Sequence, residues 1–339
     1  MAFGFGLIGA SNIAQAHMIA AIRSQAECEV VSVYSSNPER GIEYAQTNHI
    51  PHVAPTLEDL IQHPAVHAVY ISTTNELHYE QTLAAAKAGK HILCEKPLAM
   101  TLDQARHMIK VCQQHNVVLA TNHHLRNAAS HRAMRQLIAD GAIGKPIAAR
   151  VFHAVYLPEH LQGWRLTNPN AGAGVVLDIT VHDVDTLRFV LNAEPVEVTS
   201  LTQHFGMGSG VIEDGAMAIF RFDNGVMAQT HEGFTTKYAG NGFEVHGTEG
   251  SIIGKRMMQQ TPGGEVILRT AEGERLIELQ HENLYEVGMR RFMGAVKGTD
   301  TPAATGEDGF ASLAAALACL DSANSHQTVA IPSFMSAAL

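Results

Sequence analysis

Two stretches of the chain combine side chains that can hold a charge or move a proton. The first, residues 89–97 (GKHILCEKP), places Lys96 directly after a short apolar run. The second, residues 172–185 (GAGVVLDITVHDVD), spaces Asp178, His182 and Asp185 so that all three can share one face of a helix. A carboxylate beside an imidazole orients the ring and raises its basicity, as a proton donor near neutral pH requires. The second stretch therefore predicts acid–base chemistry.

Each stretch also has a purely structural interpretation. Lys96 could be a loop lysine paired with its neighbour Glu95. Asp178 and His182 could form a structural pair, and paired carboxylates on one helix could instead serve a hydrolase as acid and base. The spacing alone leaves these alternatives open.

The elements around Lys96 predict its position in a sheet. Gly89 suits the end of a helix, residues 91–94 suit a buried strand, and Pro97 would end that strand at Lys96. Further strands at 3–8, 29–35, 68–72 and 117–121 alternate with helices at 15–25, 56–61, 79–88 and 102–115. This alternation predicts an α/β Rossmann domain with a doubly wound parallel sheet, and ligands bind at the carboxyl ends of its strands.

The turn after the first strand predicts a dinucleotide site. Residues 9–14 (GASNIA) form a Gly-rich turn before a helix, although Ser11 and Ala14 replace the second and third glycines of the usual fingerprint. The second strand ends in Ser35 without a carboxylate, and Arg40 follows; this pattern suits a 2′-phosphate and predicts NADP(H) rather than NAD. Alternatively, Arg40 is a surface residue in the first turn of a helix.

The sequence changes character after Asn122. Candidate strands at 148–156, 196–204, 216–222, 226–234, 242–246, 251–254, 265–269 and 275–279 follow a helix at 129–140. Hairpin turns such as 223–225 indicate a large, mostly antiparallel open sheet in an α+β domain. We expect an NADP-binding domain at 1–122 and a substrate domain at 123–339. The final helices, 283–297 and 306–325, can pack back on the first domain.

Composition limits the partners of the protein. A net charge of −10 argues against nucleic acid and anionic membranes, and no apolar run reaches membrane-spanning length. Four cysteines without metal-type spacing, and no signal-like N-terminus, predict a cytoplasmic protein without a bound metal. We expect a small-molecule substrate; the sequence leaves open a monomer or a homo-oligomer.

Taken together, these motifs resemble the Gfo/Idh/MocA family of sugar and polyol oxidoreductases. The resemblance rests on GASNIA after a strand, residues 75–78 (NELH), GKHILCEKP, and the Asp178–His182 spacing. Residues 121–128, 153–158 and 161–166 resemble one bacterial subgroup of sugar-ketone reductases in that family. The resemblance implies hydride transfer from NADPH to a sugar ketone, with Lys96 and His182 at the carbonyl.

The motifs and the resemblance together predict three sets of site residues. The catalytic set is Lys96, His182 and Asp178. The cofactor set is Gly9, Ala10, Ser11, Asn12, Ile13, Ala14, Ser35, Ser36, Arg40, Thr73, Thr74, Asn75, His78, Glu95, Lys96, Asn122, Trp164 and Arg165. The substrate set is Lys96, Tyr156, Trp164, Arg165, Asp178 and His182.

Three other functions fit parts of the pattern. One is a different dehydrogenase of the same family, acting on an inositol, an aldose or a dihydrodiol. Another is an NAD-dependent glycosidase, against which the Ser35 and Arg40 pattern speaks. The third is a non-catalytic NADP-binding regulator, which would have no need to keep Lys96 and His182.

Overall fold

The computed structural model describes residues 2–335. These residues divide into two compact units. The N-terminal unit contains residues 2–124 and Tyr285–Phe310, and the C-terminal unit contains Leu125–Leu284 and residues 311–335. The domain boundaries predicted from the sequence, 1–122 and 123–339, stay a prediction.

The N-terminal unit is built on a six-stranded parallel sheet with the order β3-β2-β1-β4-β5-β6. Its strands are β1 Phe3–Ile8, β2 Cys28–Tyr34, β3 His52–Ala54, β4 Ala68–Ile71, β5 His91–Cys94 and β6 Leu119–Thr121. Strand β4 is buried throughout and β1 almost so, as apolar strands covered on both faces must be. The predicted doubly wound parallel sheet is confirmed.

Three of the five crossover helices of this sheet begin at a side-chain cap. The five helices are α1 Ile19–Arg23, α2 Pro38–Thr47, α3 Leu57–Gln62, α4 His78–Lys87 and α5 Leu102–Gln114. The side chains of Asn37, Thr56 and Thr101 each accept a hydrogen bond from a backbone N–H three residues later. Each cap satisfies a donor that the first turn of a helix leaves unpaired.

Some predicted boundaries were wrong. Strand β5 ends at Cys94 rather than at Lys96: after a last hydrogen bond from Glu95 N to the Ile71 carbonyl at 2.9 Å, the chain bends at Lys96. The first helix begins earlier than predicted, as a π-helical turn Ala14–Met18 that continues into α1. Strand β3 was not predicted, since three residues are too few to show an alternating pattern.

The C-terminal unit carries a nine-stranded sheet with the order β14-β13-β12-β11-β7-β10-β9-β8-β15. Its strands are β7 Pro146–Ala154, β8 Pro195–Gln203, β9 Gly215–Phe222, β10 Met227–Gly233, β11 Gly242–Gly247, β12 Gly250–Lys255, β13 Glu265–Thr270, β14 Gly273–Ile277 and β15 Val329–Ala330. Strands β7 and β10 pair in parallel, and the other pairs are antiparallel. The predicted mostly antiparallel sheet is confirmed.

The two faces of this sheet differ. In β9, Ala218, Phe220 and Phe222 are buried, whereas Met217 and Ile219 on the other face are exposed. That other face also carries ion pairs across neighbouring strands, such as Arg150 with Glu244. It is therefore a mixed apolar and charged surface.

Helices α6 Ala129–Ala139, α7 Gly163–Thr167 and α8 Val181–Leu191 also belong to the C-terminal unit. A π-helical turn, Val176–Thr180, leads directly into α8. The last two helices are α9 Leu284–Val296 and α10 Gly306–Ser325. Almost all of α9 belongs to the N-terminal unit, where Phe292 packs on Phe5 of β1 with 6.1 Å between ring centroids.

Candidate active site

The carboxyl ends of the parallel strands bring together several of the predicted cofactor residues. Ser11 follows β1, Ser35 follows β2, Thr73 follows β4, Glu95 follows β5 and Asn122 follows β6. Because the strands are parallel and neighbouring, their carboxyl ends form one edge of the sheet. Hydrogen bonds tie this edge together, so that it forms one connected polar surface.

The turn after β1 allows a close backbone approach. Gly9 has φ +108°, and a Cβ there would lie 3.1 Å from the Ser72 carbonyl oxygen. Ser11 Oγ accepts from Ala14 N at 3.2 Å and lies 2.7 Å from Ser72 Oγ. Ser11 thus caps the first helical turn and joins it to the end of β4. Ala10, Ile13 and Ala14 line the same turn, and Asn12 is exposed at its tip.

Arg40 connects α2 to that turn. One of its Nη atoms donates to the Ala10 carbonyl at 2.6 Å, and its backbone N donates to the Asn37 cap at 3.0 Å. Arg40 and Ser36 are exposed, and Ser35 Oγ accepts from Asn37 N at 3.2 Å. A guanidinium has five N–H donors, so this anchored arginine keeps donors for a phosphate. Arg40 is both a first-turn surface residue and a positioned cation.

Glu95 is the centre of a hydrogen-bonded group beside Lys96. Its Oε1 accepts from Asn122 Nδ2 at 2.6 Å and from the Tyr70 hydroxyl. Burial and the Glu95 carboxylate raise the pKa of Tyr70 well above its usual value, so this phenol stays protonated as a donor. Lys96 is half-buried on the turn that follows β5. These bonds hold the Glu95 carboxylate between Tyr70 of β4 and Asn122, which follows β6.

His78 is buried and lies within hydrogen-bonding distance of the turns that follow β4 and β5. Its Nδ1 lies 2.9 Å from the Pro97 carbonyl oxygen and its Nε2 lies 3.4 Å from that of Thr73. Burial lowers the pKa of this histidine, which favours a neutral ring. Thr73 and Thr74 donate to Gln81 and Glu76, and Asn75 is buried at the start of a 3₁₀ turn. The ends of β4 and β5 are therefore held together.

Tyr285 belongs to this unit and was not among the predicted site residues. Its ring stacks between His17 and His124, with centroid distances of 4.5 Å and 5.2 Å. Burial and the charge of Glu95 raise the pKa of the Tyr285 hydroxyl. Since Tyr285 is 163 residues from Asn122 along the chain, sequence spacing offers no sign of this arrangement.

The second group of predicted residues lies in the C-terminal unit, on α7 and on the helix that includes Asp178. Arg165 Nε donates to Asp178 Oδ1 at 3.2 Å, and the guanidinium of Arg165 lies 4.7 Å from the Trp164 ring centroid. Trp164 is half-buried, and the chain's only tryptophan is therefore not a core residue. A flat aromatic face beside a forked donor suits a hydroxylated ring.

Two aspartates on the helical stretch that carries His182 pair with different arginines: Asp178 with Arg165 and Asp185 with Arg126. Asp178 lies in the π-helical turn, and His182 follows on α8 with 8% of its surface exposed. Asp185 forms a two-point ion pair with Arg126, at 2.7 Å for both hydrogen bonds. The carboxylate of Asp185 is thus committed to a buried arginine, which spacing along one helix could not reveal.

Asp183, next to His182, forms a further pair that the sequence analysis missed. Its Oδ1 lies 2.7 Å from His153 Nδ1 on β7, and Asp183 is fully buried. Burial raises the pKa of Asp183, while His153 lowers it. Burial and the charge of Asp183 raise the pKa of Glu232 on β10. The residues 178–185 therefore lie against acid and base groups from the sheet.

Tyr156, the remaining predicted substrate residue, lies beyond the end of β7. It is 41% exposed and forms a β-bridge with Thr235. Lys237 Nζ lies 4.7 Å from the centroid of the Tyr156 ring, a cation–π contact at the surface. Tyr156 therefore packs on the segment that follows β10.

Comparisons with known proteins identify both units. Residues 3–123 match the oxidoreductase family with an NAD-binding Rossmann fold, and residues 131–253 match the GFO/IDH/MocA C-terminal domain. A 1,5-anhydro-D-fructose reductase from Ensifer adhaerens is 58% identical over 327 residues, covering 96% of this chain and 98% of the relative.

The chain belongs to the Gfo/Idh/MocA family. It is an oxidoreductase with a Rossmann fold for NAD(P), and the resemblance to a bacterial subgroup of sugar-ketone reductases is confirmed. Myo-inositol 2-dehydrogenase from Thermotoga maritima, 28% identical over 75% of this chain and 77% of its own length, is a more distant relative. Levoglucosan dehydrogenase with NADH and levoglucosan shares the fold, with a TM-score of 0.88 at 24% identity over 98% of this chain and all of that one.

The described residues of this family member fit an NAD(P) dinucleotide. The Gly9 turn permits close approach of a pyrophosphate, and the polar strand ends lie on one sheet edge. Within residues 2–335, no group of three His, Cys, Asp or Glu side chains is arranged to hold a metal ion. No helix in the same part of the chain is long and apolar enough to cross a membrane.

Proposed function

We propose that this protein reduces the C2 ketone of 1,5-anhydro-D-fructose to 1,5-anhydro-D-mannitol with NADPH, by direct hydride transfer. The observation that carries this proposal is the 58% identity to 1,5-anhydro-D-fructose reductase across nearly the full length of both chains. We also propose a cytoplasmic location. The four cysteines of the protein are all buried free thiols.

The preference for NADPH is argued from the end of β2. Ser35 occupies the place where an NAD-binding fold carries a carboxylate for the ribose 2′-hydroxyl. A carboxylate there would repel a 2′-phosphate, whereas the hydroxyl of Ser35 and the anchored Arg40 attract one. The proposed cofactor is therefore NADP(H) rather than NAD(H).

The chain's own residues supply the charge and the proton of the reaction. When bound, the nicotinamide supplies a hydride to the ketone carbon, and negative charge then grows on the ketone oxygen. Lys96 stabilises that oxygen with a fixed positive charge, and His182 donates the proton that completes the hydroxyl group. Asp178 positions His182 and also holds Arg165, which with Trp164 and Tyr156 binds the sugar ring.

The test is an initial-rate assay of NADPH oxidation, followed at the nicotinamide absorbance. The substrates are 1,5-anhydro-D-fructose and a matched panel of aldoses, ketoses and inositols, each also run with NADH and in the oxidising direction. We expect rapid turnover with NADPH and the anhydro-ketose and much slower turnover with NADH. Turnover of the anhydro-ketose that is equally fast with NADH would contradict the interpretation of Ser35 and Arg40.

A second candidate rests on the relationship to myo-inositol 2-dehydrogenase. In that case the polar sheet edge and the His182 helix would serve oxidation of a cyclic polyol. Oxidation of an inositol by NAD, with no reduction of any ketone in the panel, would replace the first proposal with this one.

A further inference from the structure

We propose that Glu213 is a positioning residue for the proposed active site: its buried carboxylate sets the start of the helix that carries Asp178 and His182. This inference rests on the proposed function of those two residues. Glu213 lies just before β9, far from Asp178 and His182 along the chain, and takes no part in the proposed chemistry.

Glu213 binds the start of the π-helical turn through two different oxygen atoms. Its side-chain Oε1 accepts from Val176 N at 3.1 Å, and its backbone carbonyl accepts from Val175 N at 3.1 Å. These N–H groups belong to the first residues of a helix, which have no acceptor within the helix itself. Glu213 thus acts as an N-terminal cap supplied by a distant segment, just before β9.

Gly174 leaves the space that this carboxylate fills. A Cβ at Gly174 would lie 2.2 Å from Glu213 Oε1 and 2.6 Å from Oε2, so no larger residue fits beside the carboxylate. Gly174 also has φ +110°, a conformation that side chains disfavour. The glycine-rich stretch before Asp178 is therefore shaped to receive Glu213.

The same short segment connects to both proposed sugar-binding and catalytic groups. Gly174 N donates to the Arg165 carbonyl at 3.0 Å, and Asp178 N donates to the Gly174 carbonyl at 3.3 Å. Arg165 and Asp178 are themselves joined at 3.2 Å. A shift at residues 174–176 would consequently move Arg165 and Asp178 together and turn His182, which follows on α8.

Burying a carboxylate is costly, and this cost argues for a specific role. Glu213 is 7% exposed, and burial raises its pKa, with Asp214 acting in the same direction and His204 and the Val176 N–H opposing it. An apolar residue would fill the position at lower cost if filling space were its only task. Its hydrogen bond to Val176 is the contribution that an apolar residue cannot make.

The experiment compares Glu213→Gln with Glu213→Met in the full-length protein. Both variants are uncharged and similar in size, but only glutamine keeps an oxygen that can accept from Val176 N. We expect Glu213→Gln to keep kcat within about twofold and Glu213→Met to lower it roughly 10- to 100-fold, the scale on which misplaced catalytic groups lose rate. The KM for NADPH should change less than kcat in both variants, because most predicted cofactor residues lie in the N-terminal unit and only Trp164 and Arg165 lie near the altered segment.

Asp214→Asn is the matched control for a general loss of stability. The Asp214 carboxylate caps a different segment, accepting from Phe205 N at 2.8 Å and from Met207 N at 2.9 Å. We expect this variant to lower the melting temperature and leave kcat nearly unchanged. Equal kcat for the Gln and Met variants, or an equal loss in Asp214→Asn, would overturn the positioning role.

A replacement variant and the choice of substrate allow the experiment to test the role of Glu213 in every case. If Glu213→Met does not fold, Glu213→Asp replaces it, because a carboxylate shortened by one methylene cannot reach Val176 N without a shift. All variants are assayed on whichever substrate the wild-type protein turns over best. A different substrate would therefore contradict the proposed function while still testing Glu213.

Discussion

The two units present polar residues in contrasting ways. In the N-terminal unit the predicted site residues come from the ends of five strands, and short hydrogen bonds join neighbouring ends, such as Ser11 with Ser72 and Asn122 with Glu95. In the C-terminal unit Asp178, His182, Asp183 and Asp185 lie on one continuous helical stretch. Their partners Arg165, His153 and Arg126 come from elsewhere in the chain.

This difference determines which part of the site can be inferred from sequence. A parallel sheet collects the ends of its strands at one edge, so recognising the strands is enough to gather their polar residues. A helix only determines which of its residues share a face. Which partner each residue meets depends on the sheet and loops packed against it.

The largest expected effect is on the buried ion pair of the C-terminal unit. Arg126→Met removes the two-point partner of Asp185, which is 1% exposed. We expect a loss of about 3 kcal/mol in the free energy of unfolding, at the lower end for broken buried pairs because Arg188 remains 3.6 Å from Asp185. Urea denaturation measures this change in the free energy of unfolding. Arg269→Met, which breaks an exposed pair with Glu274, should cost less than about 1 kcal/mol.

The next effect concerns the sheet edge of the N-terminal unit. Lys96→Ala should lower kcat roughly 10²-fold or more, the usual loss when a donor to a developing oxyanion is removed. Lys90→Ala is the matched control, since Lys90 lies on the same segment but donates to the Val66 carbonyl at 2.7 Å. Wild-type kcat in Lys96→Ala would show that the sheet edge binds the cofactor without contributing to the chemistry.

Arg40→Ala tests whether this edge distinguishes the two cofactors. Charge-assisted hydrogen bonds contribute about 1.5–3 kcal/mol, so the KM for NADPH should rise roughly 10- to 100-fold. The KM for NADH, which lacks the phosphate, should change little. Steady-state kinetics with both cofactors measures the difference. Equal increases in the two KM values would mean that Arg40 only holds the Ala10 turn and does not bind the phosphate.

A pH dependence is expected from His131 in the C-terminal unit. Burial, together with nearby His153, lowers its pKa from 6.5 to about 3, and neither ring nitrogen has a hydrogen-bond partner within residues 2–335. Because the unfolded state binds this proton more readily, stability is full above pH 6.5 and falls as the pH drops below it. At about pH 5 the loss should be about 2 kcal/mol.

His131→Phe isolates this contribution, since phenylalanine keeps an aromatic ring near Phe243 and cannot be protonated. Chemical denaturation of both proteins between neutral pH and about pH 5 should show a steeper fall in the wild type. Identical slopes would mean that His131 does not titrate differently in the folded protein.

The smallest effect is expected at the cap of α2. Asn37→Ala removes the acceptor of the Arg40 N–H and should cost about 1 kcal/mol of stability. Thr101→Ala at the cap of α5 should cost a similar amount. Only Asn37→Ala should also raise the KM for NADPH, because its cap holds the helical turn that carries Arg40.

The outcome for individual residues shows how far sequence reasoning reached. The polar strand ends could be predicted because apolar strands, glycine turns and helices alternate with regular spacing. The spacing of Asp178, His182 and Asp185 was recognised from the sequence, but the pairing of Asp185 with the buried guanidinium of Arg126 was not. His153, Glu213 and Tyr285 were missed because their partners are far away along the chain.

The sequence by itself determined the parallel Rossmann sheet, the large second sheet and the family, because these depend on local periodicity and on motifs carried by contiguous residues. Only the tertiary structure decided which groups surround the helix from Val176 to Leu191. Burial strengthens each electrostatic contact and makes an unpaired charge costly, so the choice of partner depends on which side chains the fold excludes from water together.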